Sequence, residues 1–206
     1  QVAALNPTKI IAVNSGLEAD KKALLEQIAP TTFHSDEYPD WQVPWEVQIK
    51  EISKALGKED EGQKLIDDSE QAFKDFREAH PELQGKTAVI GMPYDGKLGV
   101  YTSGDGRGAF IEKLGFKIPE KFNGDGSSFF LDWSPENYAD FNDVDYLFVL
   151  DYYGAIDALK NDKAFMDLDV NKRGGLYWLD TDTANAMSMP NPLTIPYAIK
   201  QIEKQL

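Results

Sequence analysis

Apolar and polar positions change rhythm three times along the chain. Lys9-Ile10-Ile11-Ala12-Val13 is a short apolar run between Pro7 and Asn14-Ser15-Gly16, and it predicts a buried strand. From Glu18 to Ile28 the spacing of Leu24, Leu25 and Ile28 predicts a helix that Pro30 stops. Thr31-Thr32-Phe33-His34 then offers a second strand, which completes a β–α–β fragment too small to be a domain alone. Two amphipathic helices follow. Trp45, Ile49, Ile52 and Leu56 fall on one stripe ended by Gly57. Leu65, Ser69, Ala72, Phe73 and Phe76 form a second stripe, with Asp60 and Gln63 placed to cap its start and Pro81 to end it. From residue 61 to 79 that helix would run roughly 28 Å at 1.5 Å per residue, long enough to bridge two lobes.

After Leu83-Gln84-Gly85 strands and helices alternate. Thr87 to Ile90 and Leu98 to Tyr101 read as strands, and Ala109 to Leu114 as a helix closed by Gly115. Tyr146 to Leu150 is apolar throughout, as expected for a parallel strand buried on both faces. Leu176 to Leu179 is another strand, and Leu193 to Leu206 a closing helix. Residues 85–206 therefore predict a complete α/β lobe.

Composition narrows the chemistry. With 35 acidic against 21 basic residues the net charge is −14, which opposes nucleic-acid binding because phosphate contacts need clustered Lys and Arg. The absence of Cys removes disulfides, thiolate metal sites and Cys nucleophiles. No apolar run reaches membrane-spanning length, and Gln1 to Leu5 lacks the basic start of a secretory signal. The two histidines, His34 and His80, lie too far apart for a paired-imidazole metal site, and no G-x-S-x-G elbow occurs. No catalytic residue, metal site or cofactor is therefore expected. Two features could hold a ligand. Gly104-Asp105-Gly106-Arg107-Gly108 follows a strand and opens a helix, so its N–H groups could face an anion while Arg107 adds a positive fork; a solvated βα loop is the equal alternative. Aromatics, among them Tyr94, Tyr101, Phe129, Phe130, Trp133, Tyr152 and Tyr153, gather at strand ends, where an α/β sheet binds ligands, although each could instead pack in the core.

Several phrases in this order resemble the class III (helical-backbone) substrate-binding proteins of ABC transporters, in particular the iron–siderophore receptors. Leu5 to Ile11 is similar to their "ALKPDLII", Ile28 to Thr31 to "IAPT", and Ala55 to Glu59 to "ALGKE". Arg107 to Phe110 with Leu114 to Phe116 resembles "RGG…LGF", Trp133 to Glu136 leading to Asp145 resembles "LSLE…LDADVL", and Asn191 to Ala198 resembles "SPLSIPYAL". Thr8-Lys9 in place of Asp-Leu, and Phe165 in place of a common Trp, depart from the pattern.

The resemblance implies an α/β, two-lobed periplasmic-binding-protein-like fold joined by a long helix, with only a partial N-terminal lobe present. Residues 1–57 would be that remnant, 58–84 the inter-lobe helix and 85–206 the C-terminal lobe. It implies a ferric siderophore as ligand, held by Arg107, Tyr101, Met92 and Phe130, with Trp133 and Tyr153 as further aromatic contacts and the 184–189 loop facing the ligand. Glu136 would pair with Arg residues of the ABC permease. The setting would be extracytoplasmic, in a periplasm or as a cell-surface lipoprotein. The full-length protein would be monomeric, and a truncated form would expose a sheet edge and self-associate. Two rivals remain: a haem or corrinoid receptor of the same fold using His34, and an α/β enzyme using Arg107 at an anionic substrate with Asp105 as its base.

Overall fold

The computed structural model describes residues 1–125 and 128–206, and the chain divides into two compact units, 1–68 and 69–206. In the first unit, β1 (Ile10–Ala12) and β2 (Thr31–Phe33) pair in parallel, with Ile10 opposite Thr31 and Ala12 opposite Phe33. The connecting helix α1 (Ala19–Glu26) completes the expected β–α–β fragment. The expectation of a buried β1 is not met: Ile11 is exposed, its two neighbours are half-buried, and α1 buries none of its residues.

Helix α2 (Trp45–Leu56) ends where the sequence predicts, because Gly57 takes the left-handed conformation (φ 67°) and Lys58 N–H returns to the Ser53 carbonyl at 2.8 Å. The chain re-enters helix at once. Helix α3 (Glu59–Ala79) therefore starts earlier than expected, with the Gly62 N–H bonded to the Lys58 carbonyl at 2.9 Å, and Asp60 sits inside its first turn rather than capping it. The division between the units falls inside α3. Its buried stripe is Ile66, Ser69, Phe73 and Phe76; Leu65, predicted to lie on it, is exposed, as is Leu56 at the end of α2.

The second unit is built on a five-stranded sheet ordered β5-β4-β3-β6-β7. β3 (Ala88–Tyr94), β6 (Tyr146–Leu150) and β7 (Leu176–Leu179) are parallel, as an α/β lobe requires. β4 (Lys97–Tyr101) and β5 (Phe130–Trp133) run antiparallel and complete one side. Asp95-Gly96 makes the β3–β4 turn with positive φ at both residues (45° and 71°), the backbone that a two-residue hairpin needs. The predicted Thr87–Ile90 strand is thus longer at its C-terminal end, and its extension pairs with β4.

Strand alternation sorts the core. Val89, Leu98, Val100, Leu147 and Val149 point to one face, where Phe122, Phe141, Phe165, Tyr138 and Val170 pack on them. This layer comes from the 3-10 turns Glu120–Phe122 and Pro135–Asp143 and the short helices α5 (Asp157–Asn161), α6 (Lys163–Met166) and α7 (Asp169–Lys172). On the other side α4 (Gly106–Lys113) packs against β3 and α8 (Thr181–Ser188), which in turn meets β6 and α9 (Thr194–Glu203). Phe73 of α3 meets Phe110 of α4 edge-on at 5.2 Å between ring centroids, so the C-terminal half of α3 is part of this layer.

Candidate functional site

The site is made where β4 turns into α4. Thr102 is buried directly after β4, and Asp105 takes the extended backbone of an N-cap, its carboxylate accepting from the Arg107 N–H at 2.8 Å. Helix α4 therefore begins at Gly106, three residues before the predicted Ala109. Two glycines permit the approach. A Cβ on Gly108 would stand 1.9 Å from the Thr102 carbonyl oxygen, and one on Gly106 would stand 2.9 Å from Pro190 Cδ. The G-D-G-R-G spacing thus lets α4 settle onto the end of β4 and onto the segment after α8.

That packing fixes Arg107. Its Nη1 donates to both oxygens of Asp105 at 3.0 Å, and Nε donates to Ser188 Oγ at 3.2 Å. The guanidinium carbon lies 4.0 Å from the centroid of the Tyr101 ring, a close cation–π stack. The hydroxyls of Tyr152 and Ser188 contact each other and both donate to the Ala184 carbonyl, at 3.0 and 2.8 Å. The ion pair is nearly enclosed, with Arg107 and Asp105 side chains 16% and 9% exposed. Of the two equal readings of the loop, the structure has neither an open anion cradle nor a solvated Arg: the N-terminus of α4 is capped from within by Asp105, and Arg107 is largely enclosed. The structure also makes residues 184–188 the last turn of α8, not a loop.

Burial sets the electrostatics. Burial pushes the Tyr101 hydroxyl up to about 12, with the Arg107 charge opposing the rise, so the phenol stays protonated. Burial also raises the Asp105 carboxyl above its ordinary value, against the pull of Arg107. Tyr101 donates to Met92 Sδ at 3.8 Å.

Of the predicted ligand residues, the structure brings Arg107, Tyr101, Met92 and Phe130 together. Tyr101 lies opposite Phe130 and Met92 opposite Gly99 in the strand ladder, so all three side chains point to the same side of the sheet. Tyr94 extends this surface, edge-on to Phe130 at 6.0 Å, and its hydroxyl bonds Asp132, which also takes Lys97 at 2.9 Å. Trp133 points to the opposite side and packs against Phe122 at 4.8 Å and Phe141 at 6.2 Å. Tyr153 stands in solvent, 86% exposed and with φ 57°, on the turn after β6. Glu136 is exposed in the first turn of Pro135–Asp143. Sequence reasoning missed the contributions of Ser188, Tyr152 and Asp105 to holding Arg107. Each had a signal: Asp105 lies in the glycine-rich loop, Tyr152 at a strand end, and Ser188 in the 184–189 segment that the resemblance turns toward the ligand.

The residues of the two rivals are engaged otherwise. His34 is buried in the first unit with Nε2 3.4 Å from Asp40 Oδ1, and Asp105 holds Arg107.

The chain aligns over its whole length with solved structures. PiaA of Streptococcus pneumoniae TIGR4, in complex with ferrichrome, is 30% identical with a TM-score of 0.81; the match covers 100% of this chain and 70% of that one. A periplasmic solute binding protein from Mycobacterium smegmatis str. MC2 155 is 25% identical with a TM-score of 0.85, again covering 100% and 70%. SirA of Staphylococcus aureus, at 19% identity, TM-score 0.77 and coverage of 100% and 78%, shares the fold. A comparison with curated proteins gives no match. Residues 1–182 match the family described as periplasmic binding protein, and this chain belongs to that family.

Proposed function

We propose that this chain is the extracytoplasmic substrate-binding component of an iron–siderophore ABC importer, and that it captures its ligand without catalysis. The observation that carries the reading is the surface formed by Arg107, Tyr101, Met92 and Phe130, with aromatic faces beside a single fixed hydrogen-bond donor group. Such a wall suits a bulky, partly apolar ligand whose outer oxygens accept hydrogen bonds. The siderophore already fills the coordination sphere of iron, so no protein ligand to the metal is needed, and discrimination comes from shape and charge. The likeness to PiaA, whose structure holds ferrichrome, supports a ferric siderophore as the ligand class. In this reading Trp133 acts outside the contact surface, exposed Tyr153 after β6 is a further aromatic contact, and exposed Glu136 is the anchor for basic residues of the permease. Residues 1–57 belong to the N-terminal lobe, 58–84 to the connecting helix and 85–206 to the C-terminal lobe. Among the described residues no helix is long and apolar enough to cross a membrane.

Titration of intrinsic tryptophan fluorescence with ferric hydroxamate, ferric catecholate and ferric citrate complexes tests the reading. At least one complex should quench saturably while the iron-free siderophores bind more weakly. Absence of saturable quenching by every ferric complex, with calorimetry equally silent, would remove the assignment.

A further inference from the structure

We infer that Asp105 is a specificity-determining residue: by neutralising Arg107 it restricts the site to a ferric chelate without net negative charge. The inference rests on the receptor reading above and names the ligand class within it. An arginine facing a ligand offers five N–H donors and a full positive charge. Here Nη1 is committed to both Asp105 oxygens, Nε to Ser188 and the guanidinium also bonds the Tyr152 hydroxyl, so few of its donors remain for a ligand. The carboxylate is 3.0 Å from the guanidinium and both groups are largely enclosed, so the pair presents a weak dipole to an incoming ligand rather than a charge.

Ligand charge then decides the outcome. Three monoanionic hydroxamates cancel the charge of ferric iron, whereas three dianionic catecholates leave a trianionic complex. An electroneutral chelate loses nothing by meeting the neutral pair, and its carbonyl oxygens can accept from the remaining N–H of the guanidinium. An anionic chelate would be desolvated against Asp105 with no surplus positive charge to offset it. The chain's net charge of −14, and Asp132 on the same surface beside Tyr94 and Lys97, add to the bias against anions.

The arrangement also makes Asp105 separable from the fold. Its capping bond to the Arg107 N–H needs only a side-chain oxygen, and Asn is as good an N-cap as Asp. Asp105→Asn should keep α4 in place while releasing the positive charge of Arg107; Asp105→Glu should keep the charge. Calorimetric titration of the wild-type chain and both variants with ferrichrome and with a trianionic ferric tris-catecholate reads the effect. The wild type should favour ferrichrome. Asp105→Asn should shift the affinity ratio toward the catecholate by about tenfold or more, and the shift should shrink in high salt. Asp105→Glu should retain the wild-type preference, although the longer side chain changes the packing. Far-ultraviolet circular dichroism and melting identify variants that do not fold. If Asp105→Asn does not fold, Asp105→Ser, which also caps a helix and removes the carboxylate, takes its place. The inference predicts the same shift toward the catecholate for this variant, and an unchanged ratio would overturn it. An unchanged ratio in folded Asp105→Asn, or wild-type preference for the catecholate, would overturn the inference while leaving the receptor reading intact. Binding of neither complex by the wild type would overturn both.

Discussion

Replacing Gly108 by Ala should damage the protein although it places the better helix former inside a helix. In an unhindered helix the change gains about 1 kcal/mol. Here the new methyl would lie 1.9 Å from the Thr102 carbonyl oxygen and 2.5 Å from its carbon, against an ordinary contact of at least 3.4 Å. Helix α4 must therefore retreat by about 1.5 Å from the end of β4, the difference between those two distances. The obstacle is backbone in a buried turn, so no rotamer change relieves it. Overpacking of this kind costs about 1–3 kcal/mol, and retreat of α4 weakens the Asp105 cap, worth about 1 kcal/mol. The net loss is about 2 kcal/mol, which for a chain of this size lowers the melting temperature by roughly 4–8 °C. Because Arg107 precedes the substituted residue, ferrichrome affinity should fall as well. Thermal melts followed by circular dichroism, paired with ligand titration, give both readouts. A melting temperature equal to or above that of the wild type would refute the close-approach argument, since only the propensity gain would then remain.

Three further outcomes follow from other parts of the structure. Gly57→Ala should cost about 1 kcal/mol, because its φ of 67° disfavours any Cβ while nothing crowds the position, and Gly57→Asn should cost less; chemical denaturation measures both. Phe73→Ala should cost about 3–5 kcal/mol by denaturant titration, since the ring is fully buried against Phe110. Hydrogen bonds from the Thr87 N–H and hydroxyl, with Lys86 nearby, hold the Asp145 carboxyl below its ordinary value. A depressed carboxyl stabilises the fold above the ordinary aspartate range, and that contribution is lost as pH falls through the folded value. Melting curves across the acid range should show this loss in the wild type and a flatter dependence in Asp145→Asn.

What the sequence revealed and what it hid have physical reasons. Interior strand β6 was legible because Tyr146 to Leu150 is apolar on both faces, and burial between two parallel neighbours leaves that mark. The end of α2 was legible because Gly57 alone tolerates the left-handed turn. The β3–β4 hairpin was missed despite the Asp95-Gly96 turn, because Pro93 and Gly91 interrupt the apolar pattern of β3. Leu65 was placed on the buried stripe in error since Leu65 and Ile66 are adjacent and the period alone does not choose between them. At the site, Arg107 was found from its glycine-rich loop, but its neutralisation by Asp105 was not. A carboxylate two residues away can act as a base, a cap or a counter-ion, and only the backbone of α4 selects the last two. The contact of Ser188 with Arg107 joins positions 81 residues apart, so only the resemblance, through the 184–189 segment, pointed toward it.

Hydrogen exchange read by mass spectrometry, with and without saturating ferrichrome, tests the central claim most directly. The claim predicts ligand-dependent protection in peptides covering residues 92–108 and 184–190, with little change at 133–141 on the other side of the sheet. Protection confined to 133–141, with the Arg107 peptides unchanged, would contradict it.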